Sequence, residues 1–134
     1  MIIYYAHCQA IYNTKQEERD IDTLKSLGFE VINPANKEHK DVASKIRASV
    51  TSFQIMNGID PSSLVMDYFK GLVTGSDAVA FRGLPDGSIP AGVAKEIQVA
   101  IDEGKPVIEI PSCILRRVLT VDQTREYLKE IGQR

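Results

Sequence analysis

The segment from Gly75 to Ile110 alternates strand and helix signals so tightly that it admits one local arrangement. Ala78-Val79-Ala80-Phe81 is a short apolar run, as in a strand buried on both faces. After a loop from Gly83 to Pro90, Val93, Ile97, Ala100 and Ile101 recur at helical spacing, and Gly104 closes that helix as the residue just past its end. Pro106 permits no further helix, so Val107 to Ile110 resumes as a strand. The result is a βαβ unit, with parallel strands and a right-handed crossover.

Glu96 stands out within this unit. At roughly 100° per residue it lies about 60–80° from the middle of the apolar stripe, on its border. It belongs to the first turns of a helix that follows a loop containing Gly87, Ser88, Pro90 and Gly92. In open α/β sheets, ligands bind at such a corner, outside the carboxyl end of a strand. An ordinary amphipathic-helix glutamate near a favourable helix N-terminus would produce the same spacing.

The rest of the chain fits the same architecture. Ile2 to Ala6 reads as a central strand, delivering His7-Cys8-Gln9 at its carboxyl end. Asn13 or Thr14 caps the next helix, Glu17 and Glu18 suit its positive end, and Ile21, Leu24 and Leu27 form its buried stripe. Gly28 ends it, and Phe29 to Asn33 is the second strand. A helical stripe of Val42, Ile46, Val50 and Phe53 spans 37–57 and stops at Asn57-Gly58. The charged flank of that helix (Lys37, Lys40, Asp41, Lys45, Arg47) reads as a solvated face. Asp60 caps a further helix with Pro61 at its first position, and Leu64, Val65, Tyr68, Phe69 and Leu72 give it a broad buried side. Residues 114–121 are branched enough for another strand or edge turn. A last helix, capped by Thr120 or Asp122, turns Tyr127, Leu128 and Ile131 inward. The order βαβ, helices, βαβ, helix predicts one α/β domain over 1–134, a doubly wound, mainly parallel sheet of the Rossmann or flavodoxin kind.

Several stretches together resemble the nucleoside 2-deoxyribosyltransferase-like family, within the Rossmann-like nucleotide and nucleoside N-glycosidases. They are Gly92-Val93-Ala94-Lys95-Glu96, Ala100, Gly104-Lys105-Pro106-Val107, the first strand Met1 to His7 and the second-strand run Gly28 to Pro34. The similarity covers most of residues 1–111 and is thinnest between Ala35 and Asp60. Ala94 stands where the family carries the second glycine of a Gly-x-Gly-x-Glu turn, and Pro90 precedes Gly92 in place of a polar residue. The resemblance implies that Glu96 is a nucleophile acting on the anomeric carbon of a nucleoside or nucleoside 5′-monophosphate. It implies a base-binding wall at the first turn, with His7, Cys8 and Tyr12, and an oligomer whose neighbouring subunits complete each site. A homodimer or larger is therefore expected.

Cleaving a C–N glycosidic bond needs a carboxylate for a cation-like anomeric centre and a donor for the departing base. Glu96 fills the first role, and Asp67 is the sequence candidate for the second. His7, Tyr12, Tyr68, Arg82, Ser88 and Gly92 are the candidate substrate-binding residues. Arg82 could meet a phosphate, and Gly92 would let a ligand approach the backbone. His7 as a structural hydrogen-bonder, Tyr12 and Tyr68 as core aromatics, Asp67 as an exposed helix carboxylate and Arg82 as a loop arginine are the competing structural readings. Asp77 reads as a turn residue. The alternative to an enzyme is a non-catalytic module that binds or senses a nucleotide-derived ligand on the same scaffold.

Composition narrows the partners. With 43% hydrophobic and 25% charged residues the chain resembles ordinary globular domains. A formal net charge of −2 offers no electrostatic case for nucleic acid. Cys8 and Cys113 show no metal or redox spacing, which suits reduced thiols in the cytoplasm. No signal peptide is visible, and no apolar run approaches the ~20 residues needed to span a bilayer. The expected ligand is a small nucleoside or nucleotide, with no cofactor and no metal.

Overall fold

The computed structural model describes residues 1–111 and 118–133. Four strands, β1 (Ile2–Ala6), β2 (Glu30–Ile32), β3 (Ala78–Arg82) and β4 (Val107–Ile110), form one parallel sheet in the order β2-β1-β3-β4. Tyr4 pairs with Ile32 on one side and Val79 on the other, so β1 is central as its unbroken apolar run predicts. Successive side chains then divide between the faces. Tyr4, Ala6 and Val79 join Val73, Val93 and Ala100 in one buried cluster. Ile3, Tyr5, Ala78 and Ala80 join Leu24 in the other. Helices therefore cover both faces, the condition for an all-parallel sheet.

Helix α1 (Lys15–Ser26) is capped by Thr14, whose side chain accepts from the Glu17 amide, while Asn13 takes a left-handed backbone (φ 60°) ahead of it. Leu24 fills the core from this helix, but Leu27 follows the last turn and is 65% exposed. The stretch 37–57 is two helices, α2 (Lys37–Ser49) and α3 (Ser52–Met56), where periodicity suggests one. Val50 is extended, and Thr51 forms a capping box with Gln54, so local capping chemistry restarts the chain in a new direction. Phe53 consequently leaves the stripe and is 75% exposed.

Helix α4 (Pro61–Thr74) begins as expected, with the Asp60 carboxylate accepting from the Ser62 amide. Its buried side is narrower than predicted: Val65 and Val73 are buried, while Leu64 is exposed. Lys105 ties its far end to the βαβ unit, donating from Nζ to the carbonyls of Val73 and Thr74. Helix α5 (Ala91–Asp102) starts at Pro90, and Gly104 adopts φ 68° behind it, the backbone that the helix stop requires. Helix α6 (Val121–Glu130) is capped by Thr120 with Gln123. Tyr127 and Ile131 are about half exposed, contrary to the expected inward stripe. The branched run after Pro111 falls largely in 112–117, outside the described residues; residues 118–120 have no regular structure, and Val121 opens α6.

Asp77 does more than turn the chain. Its carboxylate accepts from the Ile2 amide at 2.7 Å, joining the amino ends of β1 and β3. Among the described residues no helix is long and apolar enough to cross a membrane.

Candidate active site

Chain direction reverses its lateral progress between β1 and β3: β2 lies outside β1, and β4 outside β3. The carboxyl ends of these two central strands therefore flank a crevice, the switch point at which doubly wound sheets bind ligands. A cleft of about 380 Å³ occupies it. Its walls come from the turn after β1 (His7, Cys8, Gln9 and Tyr12), from the start of α5 (Gly92 and Glu96), and from one face of α4. Ser62, Val65, Met66 and Phe69 supply that last wall at i, i+3, i+4 and i+7. A Cβ on Gly92 would stand 3.4 Å from the Met66 terminal methyl, so this position packs directly against the α4 wall beside Glu96.

Glu96 is buried, with 7% exposure, and not on the border that its helical angle suggests. The helical wheel locates it beside the apolar stripe; the roof supplied by α4 and the β1 turn is what closes over it. Its Oε2 has no hydrogen-bond partner among the described residues. Burial pushes the carboxyl up to about 7, against hydrogen bonding from Tyr4, which favours the charged form. Burial, then the facing Glu96 charge, raises Tyr4, and the same two influences raise Tyr12. Both phenols therefore remain hydrogen-bond donors at any physiological pH. Glu96 is the single carboxylate among the residues lining the cleft.

His7 is held rigidly. Its Nδ1 donates to the Tyr5 carbonyl at 2.9 Å, since a carbonyl can only accept, and its Nε2 lies 2.7 Å from Glu17 Oε2. The ring stacks on Tyr5 with centroids 3.9 Å apart and meets Tyr12 at 4.8 Å. With both nitrogens engaged and its side chain fully buried, His7 braces Tyr12 from behind and is not a free proton carrier. Glu17, expected to serve the helix N-terminus, instead orients this imidazole.

The remaining sequence candidates separate by face. Arg82 follows Ala78 and Ala80 in strand parity and points to the α1 side, where its guanidinium clasps Asp20 (Nε–Oδ2 2.6 Å, Nη2–Oδ1 2.7 Å). Burial opposes the Asp20 charge, but hydrogen bonds from Arg82, Tyr5 and Gln16 outweigh it and hold the carboxyl below its usual range. Arg82 is thus not a wall of the cleft. Asp67 and Tyr68 lie off the α4 face that forms the roof; Asp67 is exposed, and the Tyr68 hydroxyl bonds His39 Nδ1 at 2.7 Å. Ser88 is engaged by Asp86 within the exposed loop and does not line the cleft. The structure therefore brings together Glu96, Gly92, His7, Cys8 and Tyr12, and leaves Asp67, Tyr68, Arg82 and Ser88 outside.

Sequence reasoning passed over Tyr4, Gln9, Ser62 and Arg47, which line the same space. Ser62 carried a usable signal, a polar residue on the helical face of Val65, Met66 and Phe69. The α2 flank read as solvated also contributes: Lys40 and Arg47 line an adjoining cavity of about 490 Å³. Among the described residues, no group of three or more His, Cys, Asp or Glu side chains could hold a metal ion.

No family model matches the chain, and no curated protein matches it in sequence. The fold is similar to that of a solved 2-deoxyribosyltransferase from the psychrotolerant bacterium Bacillus psychrosaccharolyticus. That structure aligns with a TM-score of 0.52 at 17% identity, covering 93% of this chain and 81% of the other. Likeness at this identity establishes the α/β fold, which the four-stranded parallel sheet displays independently.

Proposed function

We propose that the protein is an enzyme that cleaves or exchanges the N-glycosidic bond of a nucleoside, acting in the cytoplasm. One observation carries this reading: a buried carboxylate, the only one lining the cleft among the described residues, sits at the sheet's switch point with one oxygen that none of those residues engages. Glu96 would attack the anomeric carbon as the C–N bond breaks, the bond's electron pair leaving with the base. Tyr12, Gln9 and Ser62 offer hydrogen bonds to the departing base, and the flat Tyr12 ring, braced from behind by His7, suits a planar heterocycle. Water or a second base then resolves the glycosyl-enzyme. The structural likeness to a 2-deoxyribosyltransferase supports the same chemistry.

Incubation with a panel of nucleosides and 5′-nucleotides, followed by chromatography, tests the proposal. Free base should accumulate, or a second base should be incorporated when one is supplied. A folded protein that releases no base from any member would refute the reaction.

A second reading, a ligand-binding module without turnover, is favoured by the absence of a second carboxylate among the described residues of the cleft walls. A nucleotide that raises the melting temperature and is recovered intact would select it. In either case a closed homo-oligomer is expected, because Phe53, Met56 and Leu64 leave an apolar face exposed around α3 and α4. A monomeric mass by light scattering at micromolar concentration would rule that out.

A further inference from the structure

The cleft above Glu96 is not a closed compartment. It shares Gln9, Tyr12, Arg47, Val65 and Phe69 with the adjoining 490 Å³ cavity, so the two abut as neighbouring lobes across these side chains. The chemistry of the lobes differs. The first has Glu96; among the described residues no carboxylate lines the second, which instead has the cations Lys40 and Arg47.

Both cations come from one face of α2, where Lys40, Ala43, Ser44 and Arg47 follow the i, i+3, i+4, i+7 pattern. Ala43 is buried and forms the floor, while the longer polar side chains stand around it. Among the described residues, neither Lys40 nor Arg47 forms an ion pair. Lys40 Nζ lies 5.8 Å from the Tyr12 ring centroid, above a residue shared by both lobes. Arg47 stands at the junction, lining both. Arg82, by contrast, has its guanidinium committed to Asp20.

We propose that the second lobe is a phosphate subsite, in which Lys40, Arg47 and Ser44 hold a phosphate group attached to the nucleoside that occupies the Glu96 lobe. The inference rests on the nucleoside reading above and names the substrate class within it: a phosphorylated nucleoside. A guanidinium at the junction meets the first phosphate by paired hydrogen bonds, and the lysine lies farther out as a point charge. Seven residues of helix separate the two Cα atoms by about 10 Å, so a diphosphate would engage both cations more fully than a monophosphate.

Calorimetric titration of the full chain tests this, using deoxyadenosine, its 5′-monophosphate, its 5′-diphosphate and inorganic pyrophosphate as probes, at low and high salt. The phosphorylated nucleosides should bind roughly tenfold or more tighter than the nucleoside, with the advantage shrinking at high salt. K40Q, confined to the second lobe, should erase the gain from monophosphate to diphosphate, and K40Q/R47Q the whole advantage. Equal affinities of nucleoside and nucleotides in the unaltered protein, or an advantage that survives in K40Q/R47Q, would overturn the subsite. If no nucleoside or nucleotide binds, the nucleoside reading fails and pyrophosphate decides the lobe alone. Saturable pyrophosphate binding abolished in K40Q/R47Q would support a phosphate site, and no pyrophosphate binding would refute it.

Discussion

Replacing Glu96 by glutamine is expected to lower base release by roughly 10³-fold or more, because the amide cannot form the glycosyl-enzyme bond. The loss should appear in kcat, with KM little changed, since the shape of the cleft floor is retained. The unaltered enzyme should show a matching pH signature. Burial raises the Glu96 carboxyl to about 7, and only its ionised form attacks. Activity should therefore rise with pH through the neutral range and fall about tenfold per unit on the acid side. Measuring kcat/KM from pH 5 to 9 checks this. A flat acid limb, or turnover preserved in a well-folded E96Q protein, would remove Glu96 from the nucleophile's role.

What was legible in the sequence were features fixed by short-range chemistry. Gly104, Pro106 and the Ala78–Phe81 run defined the βαβ unit because each restricts the backbone locally, and all are where they were expected. Asp60 and Thr120 likewise announced their helices. The single-helix reading of 37–57 failed because the Thr51–Gln54 capping box outweighs an apolar stripe with little to pack against.

The site was half legible for a related reason. Helical angle locates Glu96 beside the apolar stripe, but burial depends on α4 and the β1 turn, which are distant in sequence. Both faces of the sheet are apolar, so strand parity could not say which face carries the cleft. In sequence Arg82 therefore looks available to a ligand, whereas in the fold it faces α1 and Asp20. Asp67 lies outside the cleft for a similar reason: α4 has apolar residues around much of its circumference, and only the fold shows that Ser62, Val65, Met66 and Phe69 form the roof. Lys40 and Arg47 gave no signal, because a basic helix flank looks the same over solvent or over a cavity.

The same glutamine substitution should make the protein more stable at neutral and alkaline pH. A carboxyl whose folded pKa is raised binds more protons folded than unfolded, so stability falls as pH climbs from its unfolded value toward its folded one. For Glu96 the window runs from 4.5 to about 7. Above it, the folded state bears the full cost of an ionised carboxylate under the α4 roof, roughly 3 kcal/mol from the size of the shift. The amide does not titrate and avoids that cost, while its oxygen can still accept from Tyr4. Denaturant unfolding should therefore find E96Q more stable by about 2–3 kcal/mol at pH 8, with the difference vanishing near pH 4, where both side chains are neutral. Destabilisation at every pH would mean that the carboxylate is a net structural asset and that its burial imposes no charge penalty. A variant that is both more stable and inert is the outcome expected of a group kept in an unfavourable setting for its reactivity.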